Sequence, residues 1–174
     1  MDVRIREIRK KEYPLLDDFL YDAVFVPEGT PPPPKSIMDL PELQVYVRDF
    51  GRRKDDLCFL AEVKGMPVGA VWTRIMNDYG HVEDGVPSLA ISVRKEYRGG
   101  GIGTVLMRTI LGELRKRGYE KVSLSVQKAN YAVGMYRNVG FRIIDEKEDE
   151  YIMVCPLERS FSGGSDAGGS GVIV

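Results

Sequence analysis

Ile91-Ser92-Val93-Arg94-Lys95-Glu96-Tyr97-Arg98-Gly99-Gly100-Gly101-Ile102-Gly103-Thr104 reads as a strand, a short turn, a run of glycines and the first residues of a helix. Leu89, Ile91 and Val93 alternate with small or polar residues, the period of a half-buried strand. From Ile102 the period changes, and Ile102, Val105, Leu106, Thr109, Ile110 and Leu114 fall on one helical face. The glycines between the two periods place backbone N–H groups at a helix start with no side chains in front of them. With the helix dipole, such donors form a site for an anion, and phosphate suits it.

Three phosphate-loop patterns compete for this stretch. A P-loop ends in Gly-Lys-Ser/Thr, but Thr104 comes directly after Gly103, so the phosphate-reaching lysine is missing. A dinucleotide loop needs a different glycine spacing, and it opens a βαβ unit instead of coming after several strands. The third pattern, Arg/Gln-x-x-Gly-x-Gly/Ala, is met by Arg98, Gly101 and Gly103. This is the pyrophosphate loop of the GNAT N-acetyltransferases, and the chain resembles that family.

Residues beyond the loop extend the resemblance. Arg115, Lys116 and Arg117 suit the negative end of a helix, and Gly118 stops it. Residues 121–126 alternate as a strand. Then Asn130, the small Ala132, Tyr136 and Gly140-Phe141 come in the order of a second GNAT element, a short helix carrying a tyrosine. The likeness is close over residues 88–144 and reasonable over 57–157, and it says little about 9–56.

The resemblance implies an α/β fold, the GNAT acyl-CoA N-acyltransferase fold, with a mixed central sheet of about seven strands and helices on both faces. It implies an acetyltransferase that moves an acetyl group from acetyl-CoA, its co-substrate, to a primary amine by direct attack in a ternary complex. The amine belongs to a small molecule or to a peptide or protein. A catalytically silent acyl-CoA-binding regulatory domain of the same fold is the alternative. In the family pattern Ile91, Ser92 and Val93 offer backbone groups to the pantetheine arm and one N–H to the acetyl oxygen. Arg98, Gly99, Gly100, Gly101, Ile102, Gly103 and Thr104 hold the pyrophosphate. Asn130 bonds the cofactor arm, and Tyr136 sits near the sulfur and protonates the leaving thiolate.

The general base is less legible. Many GNAT enzymes carry a glutamate on the central strand, but residues 87–91, Pro-Ser-Leu-Ala-Ile, hold no carboxylate. Glu28, Glu83 and Asp84 are loop candidates, acting directly or through water, and His81 is the one histidine. Tyr21, Phe25, Pro27 and Tyr46, with Trp72 from the sheet, are expected to form an acceptor wall. Phe50 is expected to belong to the core.

The rest of the chain fits one domain over 1–158, with a Gly/Ser-rich tail over 159–174. A first strand is expected around Val3 and Ile5, a helix over 10–25 and a stiff proline segment at 31–34. A second helix is expected over 37–50, capped by Asp39, and a hairpin of two strands turning at 64–67. Residues 77–87 read as a polar loop. The net charge of −1 gives no pull toward nucleic acid or an anionic membrane. No apolar run reaches spanning length, and the N-terminus does not read as a signal peptide. Cys58 and Cys155 read as small buried hydrophobes in a reducing, cytoplasmic setting. No metal site is expected, and a homodimer is allowed.

Overall fold

The computed structural model describes residues 1–76 and 80–157, so the expected tail and residues 77–79 of the polar loop lie outside it. Seven strands form one sheet: β1 (Val3–Glu7), β2 (Leu57–Val63), β3 (Met66–Arg74), β4 (Ser88–Val93), β5 (Lys121–Gln127), β6 (Arg142–Glu146) and β7 (Glu150–Pro156). Their order across the sheet is β1-β2-β3-β4-β5-β7-β6. Every neighbouring pair is antiparallel except β4 and β5. That parallel pair needs a crossover, and the long helix α3 (Ile102–Lys116) supplies it.

The alternation of each strand sends its side chains to two apolar layers. On one face Leu57, Ala61, Val71, Leu89, Val122 and Leu124 pack against Leu106, Ile110 and Leu114 of α3, and α4 (Ala132–Asn138) joins them through Tyr136. On the other face Leu60, Ala70 and Trp72 pack against Leu16, Phe19 and Leu20 of α1 (Leu15–Ala23). The helices therefore cover both faces, as expected.

The buried stripe of α3 is turned a little from the one read in the sequence. Met107 and Leu111 are buried on one flank, while Val105 on the other is 49% exposed. The β2–β3 turn is tighter than expected. Lys64 and Gly65 both have positive φ, 51° and 76°, which is the two-residue turn that matches strand twist. Met66 and Pro67 already belong to β3, and Pro67 sits opposite Glu62 where the register shifts.

Two helix expectations need correction. Residues 10–25 do not form one helix: a 3₁₀ turn (Lys10–Glu12) comes first and α1 starts after Pro14. Residues 37–50 do not form one either. A 3₁₀ turn (Lys35–Asp39) leads to the short α2 (Pro41–Gln44), with Leu40 at its N-cap in place of Asp39, and turns come after it. The sheet takes carbonyls that a longer helix would need. Trp72 Nε1 donates to the Tyr46 carbonyl at 3.0 Å, and Arg74 Nη1 donates to those of Val45 (3.2 Å) and Arg48 (2.7 Å). Asp49 and Gly51 then take positive φ and turn the chain toward β2.

Arg74 is held from its other side by Asp56, Nε to Oδ1 at 2.9 Å, with both side chains at 3% exposure or less. Cys58 and Cys155 are buried free thiols. Among the described residues no helix is long and apolar enough to cross a membrane.

Candidate active site

The site begins where two strands part. β4 and β5 are in register only at Ser88 and Ser123, with the Ser123 N–H on the Pro87 carbonyl at 3.0 Å. Beyond that point β5 leaves β4, and a gap opens toward the C-terminal ends of both strands. The antiparallel ladder decides which backbone groups face the gap. Ala70 stands opposite Ser92, Trp72 opposite Ala90, and the Arg94 N–H bonds the Val68 carbonyl at 2.8 Å. Ser88, Ala90 and Ser92 therefore exchange their bonds with β3. Leu89, Ile91 and Val93 direct N–H and C=O the other way. The Val93 carbonyl already accepts from Arg98 Nε at 2.8 Å. Ser92 Oγ is buried and has no hydrogen-bond partner among the described residues.

The glycine loop lies at the open end of this gap. After a 3₁₀ turn (Lys95–Tyr97), Gly99 and Gly101 have φ of 81° and 87°, a left-handed conformation that glycine takes without strain. A Cβ added at Gly99, Gly100 or Gly101 would meet nothing within 4 Å, so the outer side of the loop is open. The Val105 N–H makes the first helical bond, to Gly101, at 3.1 Å. The amides of Ile102, Gly103 and Thr104 thus point out of the N-terminus of a helix 15 residues long. Gly103 has another use: a Cβ there would stand 3.1 Å from Met135 Sδ. The missing side chain lets the start of α3 approach α4.

That contact brings the two sequence elements together. Asn130 forms the turn into α4, its Oδ1 accepting from the Ala132 N–H at 2.9 Å, which leaves Nδ2 as a donor. Tyr136 is the buried residue of α4, 8% exposed, with its ring centre 5.9 Å from that of Phe141. Its hydroxyl makes no hydrogen bond among the described residues. Burial raises the phenol above its ordinary value, so the proton stays on the oxygen at neutral pH. Gly140, with φ of 114°, lets the chain reverse so that the Phe141 N–H bonds the Tyr136 carbonyl at 2.9 Å.

Of the loop carboxylates, Glu83 stands away from this gap. Glu83 forms an ion pair with Lys121, the first residue of β5, at the closed end of the β4–β5 pair. The catalytic role expected for Glu83 does not fit that position. Asp84 is exposed beside His81, whose Nδ1 lies 3.2 Å from the Met76 carbonyl. Glu28 is exposed in a turn closed by the Thr30 N–H on the Pro27 carbonyl at 3.0 Å.

The expected acceptor wall changes too. Trp72 is fully buried and Tyr46 nearly so, so both are core, as is Phe50. Tyr21 and Phe25 stay half-buried, and Tyr21 Oη donates to the Pro33 carbonyl at 2.5 Å, fastening the proline segment to α1. Another carboxylate, not singled out from the sequence, is Glu150 on β7. Its Oε2 accepts from Ser125 Oγ at 2.9 Å across the β5–β7 pair. A strand register was needed to see it, because 25 residues separate the partners.

Known proteins share both the sequence pattern and the fold. The model of the acetyltransferase (GNAT) family matches residues 6–141. Over 115 residues the chain is 30% identical to an N-alpha-acetyltransferase of Sulfurisphaera tokodaii, covering 57% of this chain and 68% of that protein. Over 85 residues it is 36% identical to a mycothiol acetyltransferase of Thermobispora bispora, covering 48% of this chain and 29% of that protein. The chain thus spans less than a third of the length of this second relative. Among solved structures, PaiA N-acetyltransferase of Thermoplasma acidophilum in complex with coenzyme A is similar with a TM-score of 0.66 at 18% identity, covering 90% of this chain and 99% of that one. At that identity the likeness speaks for the fold alone.

Proposed function

Because the chain belongs to the acetyltransferase (GNAT) family and is an acyltransferase enzyme, we propose that it moves an acetyl group from acetyl-CoA to a primary amine of a small molecule or a peptide, in a ternary complex. The observation that carries this reading is the gap between β4 and β5, which opens beside the free N-terminus of α3. A long anionic thioester suits that pairing. Its diphosphate matches amides that have no side chains before them, and its amide-bearing arm matches a strand edge left without a partner.

Acetyl-CoA supplies the activated acyl group. The amides of residues 99–104 hold its pyrophosphate, with the Arg98 guanidinium beside them. Ile91 and Val93 bond the pantetheine arm as a missing strand would. The Ile91 N–H faces the gap and stabilises negative charge on the carbonyl oxygen during attack. Asn130 Nδ2 donates to the arm from the β5 side. Tyr136 carries a proton that burial keeps in place, and it gives that proton to the departing sulfur.

Titration calorimetry with acetyl-CoA tests the assignment. Saturable one-to-one binding is expected, and no heat at millimolar ligand would overturn it. Initial-rate patterns with both substrates varied test direct attack. Intersecting lines are expected, whereas parallel lines would indicate an acetylated enzyme.

A further inference from the structure

Acetyl transfer to an amine needs a proton acceptor at the acceptor side of the gap, and Glu83 is instead paired with Lys121 at the start of β5. On the β5 wall, Leu124 and Val126 pack into the layer of α3, so Ser125 projects from the opposite face, the one α1 covers. Ser125 lies two residues beyond Ser123, the last β5 residue in register with β4. It is thus the first residue of that face to border the gap. Ile152 stands opposite it, and Glu150 is two residues before Ile152 on the same face of β7.

The Glu150 carboxylate reaches from β7 to β5, where it accepts the Ser125 hydroxyl at 2.9 Å, and its side chain is only 18% exposed. Lys147 Nζ lies 3.5 Å from its other oxygen. Gly80 covers the strand here: a Cβ on it would come within 3.1 Å of the Leu124 carbonyl carbon and the Ser125 nitrogen. A larger residue there would crowd this wall. The carboxylate is therefore fixed in direction, and each oxygen keeps a lone pair beyond the bond it makes.

We propose that Glu150, oriented by Ser125, is the base that takes the proton of the acceptor amine. The inference rests on the acetyl-transfer reading above. An aliphatic amine reaches the site at neutral pH as an ammonium ion, and the negative charge of Glu150 attracts it. Glu150 takes one N–H proton. The freed nitrogen pair forms the N–C bond at the thioester carbonyl, and the C–S bond breaks. The sulfur takes a proton from Tyr136, and the phenolate regains one from the nitrogen as the amide forms. The proton on Glu150 leaves to solvent. One ammonium and one thioester thus become one amide, one thiol and one proton.

The test uses Glu150→Gln, Glu150→Asp and Ser125→Ala in the full chain. The amines are spermidine, kanamycin, free lysine and a short peptide with a free N-terminus, read by thiol release. Glu150→Gln is expected to lower kcat/KM by about 10²-fold for the amine that responds, within the range for a lost general base. The rate of that variant should climb with pH as the amine loses its own proton in solution. The groups facing Glu150, Ser125 from β5 and Lys147 from the β6–β7 turn, remain in this variant. Glu150→Asp should keep part of the activity, and Ser125→Ala should lose less than Glu150→Gln. Acetyl-CoA affinity by calorimetry should stay within about twofold in all three, because none of these residues belongs to the cofactor side.

A Glu150→Gln enzyme at wild-type rate overturns the inference and leaves acetyl transfer standing. So does a fall in acetyl-CoA affinity as large as the fall in rate, since Glu150 would then be a binding or structural group. A wild-type protein that binds no acetyl-CoA and releases no thiol with any of these amines overturns both readings.

Discussion

Arg94 Nη1 lies 3.4 Å from Asp22 Oδ2, and the Arg94 guanidinium carbon is 4.9 Å from the centre of the Phe19 ring. Arg94 is the first residue after β4, and Asp22 is in the last turn of α1. Arg98 Nη2 extends the link to the Asp22 carbonyl at 3.5 Å. The C-terminal end of α1 is thus tied to the residues that lead from β4 into the glycine loop. Two arginines at a helix C-terminus also suit its dipole.

Arg94→Met should loosen that tie without emptying either site. The pair is about a third exposed, so the ion pair and the ring contact together are worth about 1 kcal/mol. Acetyl-CoA affinity should fall about fivefold, the equivalent of that energy, with a small drop in Tm. Calorimetry and a thermal melt check both. An unchanged affinity would show that the loop holds its shape without α1.

Gly101→Val should abolish measurable acetyl-CoA binding in a folded protein. Its φ of 87° strains any branched residue, at a cost of about 1–3 kcal/mol. The space around it is open, so the side chain clashes with nothing of the protein itself. It would stand instead where the pyrophosphate must approach the amides. Circular dichroism should show the native fold and calorimetry no cofactor heat. Tight binding by the folded variant would remove the loop from the cofactor site.

Tyr136→Phe should keep acetyl-CoA affinity within about twofold and lower kcat by about 10²-fold where thiolate departure limits the rate. Burial raises the phenol, so the proton is present throughout the neutral range and is lost only well into alkali. The ring contact with Phe141 survives in the variant, so stability should change little. Full turnover by Tyr136→Phe would assign the proton to another donor.

Gly101 and Tyr136 could be singled out in the sequence because their signals are local, whereas the Arg94–Asp22 tie, between residues 72 positions apart, could not. The change of period around Gly99–Gly101 marks a strand, a loop and a helix within a dozen residues, and Asn130, Tyr136 and Gly140 mark one short helix. The region before β2 was less legible. Its apolar residues at 43, 45, 46, 47 and 50 suit a helix, but Arg74 and Trp72 claim the carbonyls, and no periodicity shows that. Trp72 looked available to a substrate because aromatic character does not say which sheet face is sealed. Glu150 was missed for a similar reason. Its partner is decided by strand register across β5 and β7, and Glu83 and Glu28 were more visible only because they stand in loops.

The buried pair Arg74–Asp56 should be worth more than any surface pair of the molecule. Arg74→Ala leaves the Asp56 carboxylate uncompensated and frees the carbonyls of Val45 and Arg48. The expected loss is about 3–5 kcal/mol, read by urea unfolding. Arg74→Ala with Asp56→Ala should recover part of it, since no lone charge remains buried. Asp56 also accepts the Gly51 and Arg53 amides, so recovery should be incomplete.

Acid should weaken the protein through Arg6. Its guanidinium lies between two carboxylates, 2.9 Å from Glu12 Oε2 and 2.8 Å from Glu62 Oε2, and so ties β1 to β2 and to the turn before α1. Hydrogen bonds from Arg6 hold both carboxyls below their ordinary 4.5. A carboxyl lowered in the folded state stabilises it above the unfolded value, and that stabilisation is lost as pH falls through the folded value. The Tm should therefore be level near neutrality and fall below about pH 4.5. Asp17 works in the opposite direction: burial raises its carboxyl, so acid relieves a cost there and offsets part of the fall. Arg6→Met should lower Tm at pH 7 and flatten the acid limb, because its two carboxyls then titrate nearer their ordinary value. Melting curves from pH 7 to pH 3 check both features. An acid limb equally steep in Arg6→Met would place the sensitivity in other carboxylates.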